Sequence, residues 1–138
     1  GGEMRMRGSN ARSEPWAIAI ETPDRSGRSV QTVLHLSDAA MATSGDYRNF
    51  FEHEGRFYSH TIDPRTGYPV THNGASVTVV ADTAAFADAA ATALLVLGPD
   101  GGMELAVRES IAAYFVLRLG SEFEERTSSL FATKVLSK

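Results

Sequence analysis

The segment that most constrains this chain is Ser59-His60-Thr61-Ile62-Asp63-Pro64-Arg65-Thr66-Gly67-Tyr68-Pro69. Pro64 fixes its own φ and drives Asp63 out of the helical region. Gly67 can supply a positive φ, and Pro69 stiffens the exit. The chain must turn here, and the turn carries a histidine, an aspartate and an arginine within six residues. A rigid loop with three functional side chains at the end of a strand is a common way to build a site. Taken alone, the segment is more simply an ordinary hairpin turn with polar decoration, so the rest of the chain has to decide.

Strands dominate the first half. Pro15–Glu21 and Val30–Leu36 alternate well enough to pair as a hairpin across a loop at 22–27. Ala39–Thr43 is short and apolar and ends at Ser44-Gly45-Asp46, and the segment Asp46–Phe51 fits strand or turn. Glu54-Gly55 is a two-residue turn before a strand read as Arg56–Asp63. Ala75–Ala81 is a β-branched strand, after which Asp82 or Thr83 can cap a helix running to about Leu97. Gly98-Pro99-Asp100-Gly101-Gly102 should stop that helix, with a second one over Met103–Glu109. Ile111–Leu119 reads as a buried strand, Glu122–Arg126 as a last strand, and Ser128–Leu136 as a terminal helix or tail. Strands first and helices late predict a single α+β domain over 1–138, an antiparallel sheet with helices packed on it.

The helix after Thr83 carries the second informative feature. Phe86, Ala90, Ala93, Leu94 and Leu97 form an apolar stripe expected to face the core. Asp88 and Thr92 stack one turn apart on another side, among Ala84, Ala85, Ala91 and Leu95. No lysine or arginine lies four residues from Asp88 in either direction. If that face is covered, an ionised Asp88 needs a cation or strong donors, because burying it bare is costly. Asp and Thr oxygens at this spacing can serve a hard divalent cation such as Mg²⁺, with backbone oxygens and phosphates completing the shell. The spacing equally fits an exposed polar face with an Asp–Thr hydrogen bond.

Other features narrow the function by exclusion. The 138 residues contain no cysteine, which removes disulfides, thiolate metal sites and a cysteine nucleophile. Net charge is −4 with no basic run, against a nucleic-acid partner. No uninterrupted apolar run approaches the roughly 20 residues that cross a bilayer. Neither a Gly-x-Ser-x-Gly elbow nor an HExxH zinc motif occurs. The turn Ala42-Thr43-Ser44-Gly45-Asp46-Tyr47 can present amides and hydroxyls to a phosphate, or be a simple Ser-Gly turn. His60 shares a strand face with Tyr58 and Ile62, so it also reads as a hydrogen-bonded core histidine. His72 reads as solvated, Trp16 as core, and His35 and His53 have no clustered partners.

In this order, Gly1-Gly2-Glu3, Pro15–Ile20, Ala42–Tyr47, His60–Pro69 and Ala87-Asp88-Ala89-Ala90-Ala91-Thr92-Ala93-Leu94 form a highly specific combination. The string closely resembles the C-terminal part of the ApbE family, FAD:protein FMN transferases formerly called thiamine-biosynthesis lipoproteins. The resemblance runs from the first residue to about Leu119. It implies an α+β fold in which FAD binds with Mg²⁺ on its pyrophosphate. A threonine or serine hydroxyl of an acceptor protein attacks the phosphorus on the FMN side, AMP leaves, and FMN stays attached. Some members instead hydrolyse FAD to FMN and AMP. By motif, Asp88 and Thr92 match the metal-binding pair, and His60 the histidine associated with transfer. Thr43, Ser44, Gly45 and Asp46 match a turn lining the flavin site.

On chemistry, His60 can take or orient the acceptor's proton, a role a neutral imidazole suits. Asp63 can orient His60 or act as the base, and Arg65 can contact phosphate or acceptor. Ala19 stands where the family often has glycine. The resemblance implies a longer parent whose N-terminal region completes the FAD pocket, supplies a metal contact, and in Gram-negative bacteria carries a secretion signal and often a lipid anchor. The expected setting is the periplasmic side of the inner membrane, with the membrane reached only through an anchor absent from this chain. The expected acceptor is a flavoprotein subunit of a redox complex. Two other readings stand beside transfer: an Mg²⁺-dependent FAD pyrophosphatase, and a module that binds flavin or metal without turnover. In a purely structural reading, Asp88 and Thr92 are only surface polar residues.

Overall fold

The computed structural model describes residues 2–136. Its centre is a five-stranded antiparallel sheet ordered β1-β4-β9-β10-β11. The strands are β1 (Met4–Arg5), β4 (Ala40–Gly45), β9 (Gly74–Ala81), β10 (Ala112–Leu119) and β11 (Glu122–Thr127). Hairpin β2 (Trp16–Glu21)–β3 (Val30–Leu36) pairs from Trp16 opposite Leu36 to Glu21 opposite Val30. Hairpin β5 (Phe50–His53)–β6 (Arg56–Ser59) and the short pair β7 (Ile62–Asp63)–β8 (Tyr68–Pro69) complete the β structure.

The sheet is covered on both faces, which is why β10 reads as a nearly continuous apolar run. On one face, Val77, Val79, Ala113 and Phe115 pack under Ala87, Ala91, Leu94 and Leu95 of helix α1 (Ala84–Arg108). On the other, Met41, Tyr114 and Val116 pack under Ile20, Leu34 and Leu36 of the β2–β3 hairpin and Phe131 of α2 (Ser129–Phe131). A wide helical turn at Ala132–Leu136 follows α2 and seats Val135 in that second core. The architecture is the expected α+β arrangement.

Several expectations are corrected by packing. The strand read as Arg56–Asp63 breaks at His60 and Thr61: the His60 amide closes on the Asn49 carbonyl at 3.2 Å, and Ile62–Asp63 pairs with Tyr68–Pro69 instead. Trp16 is exposed rather than core, with its indole N–H on the Arg7 carbonyl at 3.0 Å. In α1 the buried stripe is Ala87, Ala90, Ala91, Leu94 and Leu95, while Phe86 and Ala93 are exposed. The sheet takes the alanines because their small side chains let the helix come close. Asp88 and Thr92 consequently lie at the edge of the buried stripe, not on a separate covered face.

Thr83 caps α1, its hydroxyl accepting from the Phe86 amide at 3.3 Å. The expected stop is a one-residue break. Gly98 has φ 80° and ψ 177°, a conformation essentially reserved for glycine, and Pro99 starts the second helical segment. Taken end to end, the two segments are long and apolar enough to cross a bilayer by length and composition, yet their buried stripe lies on the sheet. His72, expected to be solvated, is half-buried against this break. Gly98→Ala should place a Cβ 2.8 Å from the His72 ring and force a forbidden backbone. The expected loss is roughly 2 kcal/mol or more, read as a lower urea midpoint at unchanged slope.

Candidate active site

One open cavity of about 630 Å³ lies where the end of β4, the start of α1, the end of β2 and the His60 segment converge. It gathers Thr43, Ser44, Gly45, His60, Asp88 and Thr92, six of the residues singled out in sequence. The arrangement follows from the packing just described. In the antiparallel pairing of β4 with β9, Ala42 and Ser44 share the face that meets α1, and Thr43 faces the other way. The Ser44 hydroxyl meets the Thr92 hydroxyl at 2.9 Å. Thr43 instead bonds Thr78 across the strands at 2.7 Å. Gly45 is required for close approach, since a Cβ there would lie 2.7 Å from the Tyr47 ring and 3.1 Å from the Ala75 carbonyl oxygen.

Asp88 projects into this cavity, and its carboxylate makes no hydrogen bond or ion pair with any described residue. Asp88 and Thr92 are both exposed, as the alternative reading of that face has it, but Thr92 bonds Ser44 rather than Asp88, so the Asp–Thr hydrogen bond of that reading does not form. One wall thus offers a free carboxylate and two adjacent hydroxyls, all hard oxygen donors. Among the described residues no group of three or more His, Cys, Asp or Glu side chains forms an all-protein cage. That donor set fits Mg²⁺, which keeps several waters and takes one or two carboxylates plus phosphate oxygens.

His60 is exposed and lines the same cavity, not buried in the core. Its Nδ1 lies 2.7 Å from the Asn49 carbonyl oxygen. A carbonyl only accepts, so Nδ1 is the donor, and in the neutral form of the ring Nε2 keeps its lone pair. That tautomer of the neutral ring presents Nε2 as a proton acceptor.

Three singled-out residues lie outside the cavity. Asp46 is buried and accepts from Arg118 Nη1 at 2.9 Å and Nη2 at 3.1 Å, and from Arg25 at 3.3 Å. Its carboxylate is committed to these two arginines and is not presented to a ligand. Asp63 makes no hydrogen bond to His60, whose ring is oriented by the Asn49 backbone. Asp63 instead accepts from the Arg65 amide at 2.9 Å and from its guanidinium at 2.7 Å, and those bonds hold its carboxyl below the usual range. Arg65 is bound within the same turn, and both line a separate depression beside Tyr68.

Sequence reasoning missed a charged part of the cavity lining. Glu21, at the end of β2, binds Arg48, accepts from the Tyr47 hydroxyl at 3.2 Å, and pairs with Arg28 at 3.6 Å. Burial raises the Tyr47 phenol above its ordinary pKa, partly offset by Arg48, while the Glu21 hydrogen bond raises that of Arg48. Tyr47 stood in the quoted turn, but nothing local linked it to a residue 26 positions earlier. The Asn49 contact is made by backbone and leaves no signature.

Comparison with known proteins places this geometry. The ApbE family model matches residues 1–115. FAD:protein FMN transferase of Haemophilus influenzae is 46% identical over 132 residues, covering 95% of this chain and 38% of its own length. That of Escherichia coli K12 is 41% identical over 138 residues, 100% of this chain and 39% of its own. Among solved structures, the apo form of Pseudomonas stutzeri flavinyl transferase ApbE superposes with TM-score 0.80 at 43% identity, covering 96% of this chain and 40% of that one. Flavin transferase ApbE from Vibrio cholerae gives 0.82 at 41% identity, covering 96% and 42%. The chain belongs to the ApbE family. It spans about two-fifths of the length of the curated relatives it matches.

Asp46→Ala should leave two largely buried guanidiniums without their partner. A loss of about 2–3 kcal/mol is expected, between the values for exposed and fully buried pairs, checked by denaturant unfolding.

Proposed function

We propose that the protein carrying this chain transfers FMN from FAD to a threonine or serine hydroxyl of an acceptor flavoprotein, releasing AMP, with Mg²⁺ required. One observation carries the reading: the unpaired Asp88 carboxylate, the Ser44–Thr92 hydroxyl pair and the free Nε2 of His60 all border one cavity in a chain of this family. The names of the relatives support flavin transfer.

Phosphoryl transfer asks a protein mainly for positioning and for neutralisation of charge. Asp88 with Thr92 and Ser44 would hold Mg²⁺, which supplies that neutralisation on the pyrophosphate. His60 Nε2 accepts the proton of the acceptor hydroxyl as its oxygen bonds to the FMN-side phosphorus. The bond from that phosphorus to the bridging oxygen breaks, and AMP departs with that oxygen and its electron pair. The Asn49 carbonyl keeps the ring oriented throughout and stabilises the imidazolium through Nδ1–H. Glu21 links Tyr47, Arg48 and Arg28 into a crosslinked part of the cavity lining.

The test is AMP release from FAD with Mg²⁺ and a threonine-containing acceptor, with flavin fluorescence read on a denaturing gel. AMP and fluorescent acceptor are expected together. Asp88→Ala should abolish both, as should chelation of the metal, and His60→Ala should slow transfer by about 10²–10⁴-fold. AMP with only free FMN would replace transfer by FAD hydrolysis. Full activity in Asp88→Ala would refute the metal role.

A further inference from the structure

His72 lies outside the cavity, against the break in α1. Pro99 has no N–H to give the carbonyl of Leu95 four residues earlier, and Leu95 is fully buried. A buried carbonyl without a donor is costly, so its bond must come from elsewhere. It comes from His72, whose Nε2 lies 2.6 Å from the Leu95 oxygen. The Gly74 amide donates to His72 Nδ1 at 3.1 Å. One neighbour only accepts and the other only donates, so the proton sits on Nε2 and the ring has a single orientation. Two glycines leave the ring its place: a Cβ on Gly98 would be 2.8 Å from His72 Cδ2, and one on Gly74 3.0 Å from Nδ1.

The segment from 60 to 72 is therefore held at both ends. His60 hangs on the Asn49 carbonyl through its amide and its ring. His72 hangs on α1, the helix that carries Asp88 and Thr92, and β7 touches the same helix between them. We propose that His72 is a positioning residue for the transfer reaction: by pinning the end of this loop on α1, it sets where His60 stands relative to the Asp88–Thr92 pair. The inference rests on the transfer reading above.

Three substitutions separate the two hydrogen bonds. In His72→Asn the amide oxygen can replace Nδ1 toward Gly74, but nothing reaches Leu95. In His72→Gln the amide nitrogen takes the place of Nε2 and can donate to Leu95. His72→Ala removes both. Each variant is assayed with FAD-binding sites titrated, so that an unfolded fraction does not count as slow turnover. His72→Ala and His72→Asn should lower kcat per titrated site about tenfold, with KM for FAD and the Mg²⁺ half-saturation within about twofold, and His72→Gln should recover most of the loss. Hydrogen exchange of the Gly67 and Val70 amides, both bonded inside the loop, should quicken in the first two variants while β9 and β10 stay protected. A purely structural role would lower the melting temperature and leave kcat per site unchanged. Unchanged kcat per site in all three variants, or an equal loss in His72→Gln and His72→Ala, would overturn the proposal. If the parent shows no transfer at all, the transfer reading fails instead. The exchange data then decide the anchoring alone, and unchanged exchange in His72→Ala and His72→Asn overturns it.

Discussion

The bond between Asp46 and Arg118 ties together segments that are far apart in sequence. Arg118, near the end of β10, grips the carboxylate with both terminal nitrogens and also reaches the Pro23 carbonyl at 3.2 Å. Its own backbone amide bonds the Asn73 carbonyl at 2.8 Å. Arg25 approaches the same carboxylate and lies over the Phe50 and Phe57 rings. The β2–β3 connection, the turn after β4, the stretch after β8 and the end of β10 thus meet at one charge cluster. A bidentate, largely desolvated carboxylate–guanidinium pair has a narrow range of acceptable geometry. That narrowness makes it useful here, because it holds the turn that presents Ser44 to α1 and Tyr47 to Glu21.

The second constraint is the close seating of α1 on the sheet. Ala87 and Ala91 against Ala42, Val77 and Val79 bring helix and strands near enough for Ser44 and Thr92 to touch. Bulkier residues at these positions would separate the two hydroxyls and dissolve the oxygen-rich wall. The helix then has to end its first segment at Gly98, and the Leu95 carbonyl left over by Pro99 becomes the attachment point for the loop that carries His60. The packing that builds the core and the spacing that builds the site are the same contacts seen from two sides.

Much of the fold was legible locally. The β2–β3 hairpin, the β-branched strand β9, the apolar β10, the Glu54-Gly55 turn and the helix start at Thr83 all follow from alternation, turn chemistry and capping, which act over a few residues. Six of the residues singled out by motif also line one cavity. What could not be read were partners. The carboxylates of Asp46 and Asp63 look alike in sequence, yet one is committed to an arginine 72 positions away and the other to an arginine two positions away.

By itself, then, the amino-acid sequence determined the α+β class, the run of strands that precedes the helix at Thr83, the turn forced by Asp63-Pro64, and the Asp–Thr spacing on one helix. Tertiary structure alone decided which side of that helix faces the sheet, that Thr92 pairs with Ser44, that Asn49 rather than Asp63 orients His60, and that His72 closes a helix break. The physical reason is range. Backbone preferences are set by neighbours along the chain. Burial and the pairing of charges and hydrogen bonds are settled only when distant segments compete for the same desolvated space.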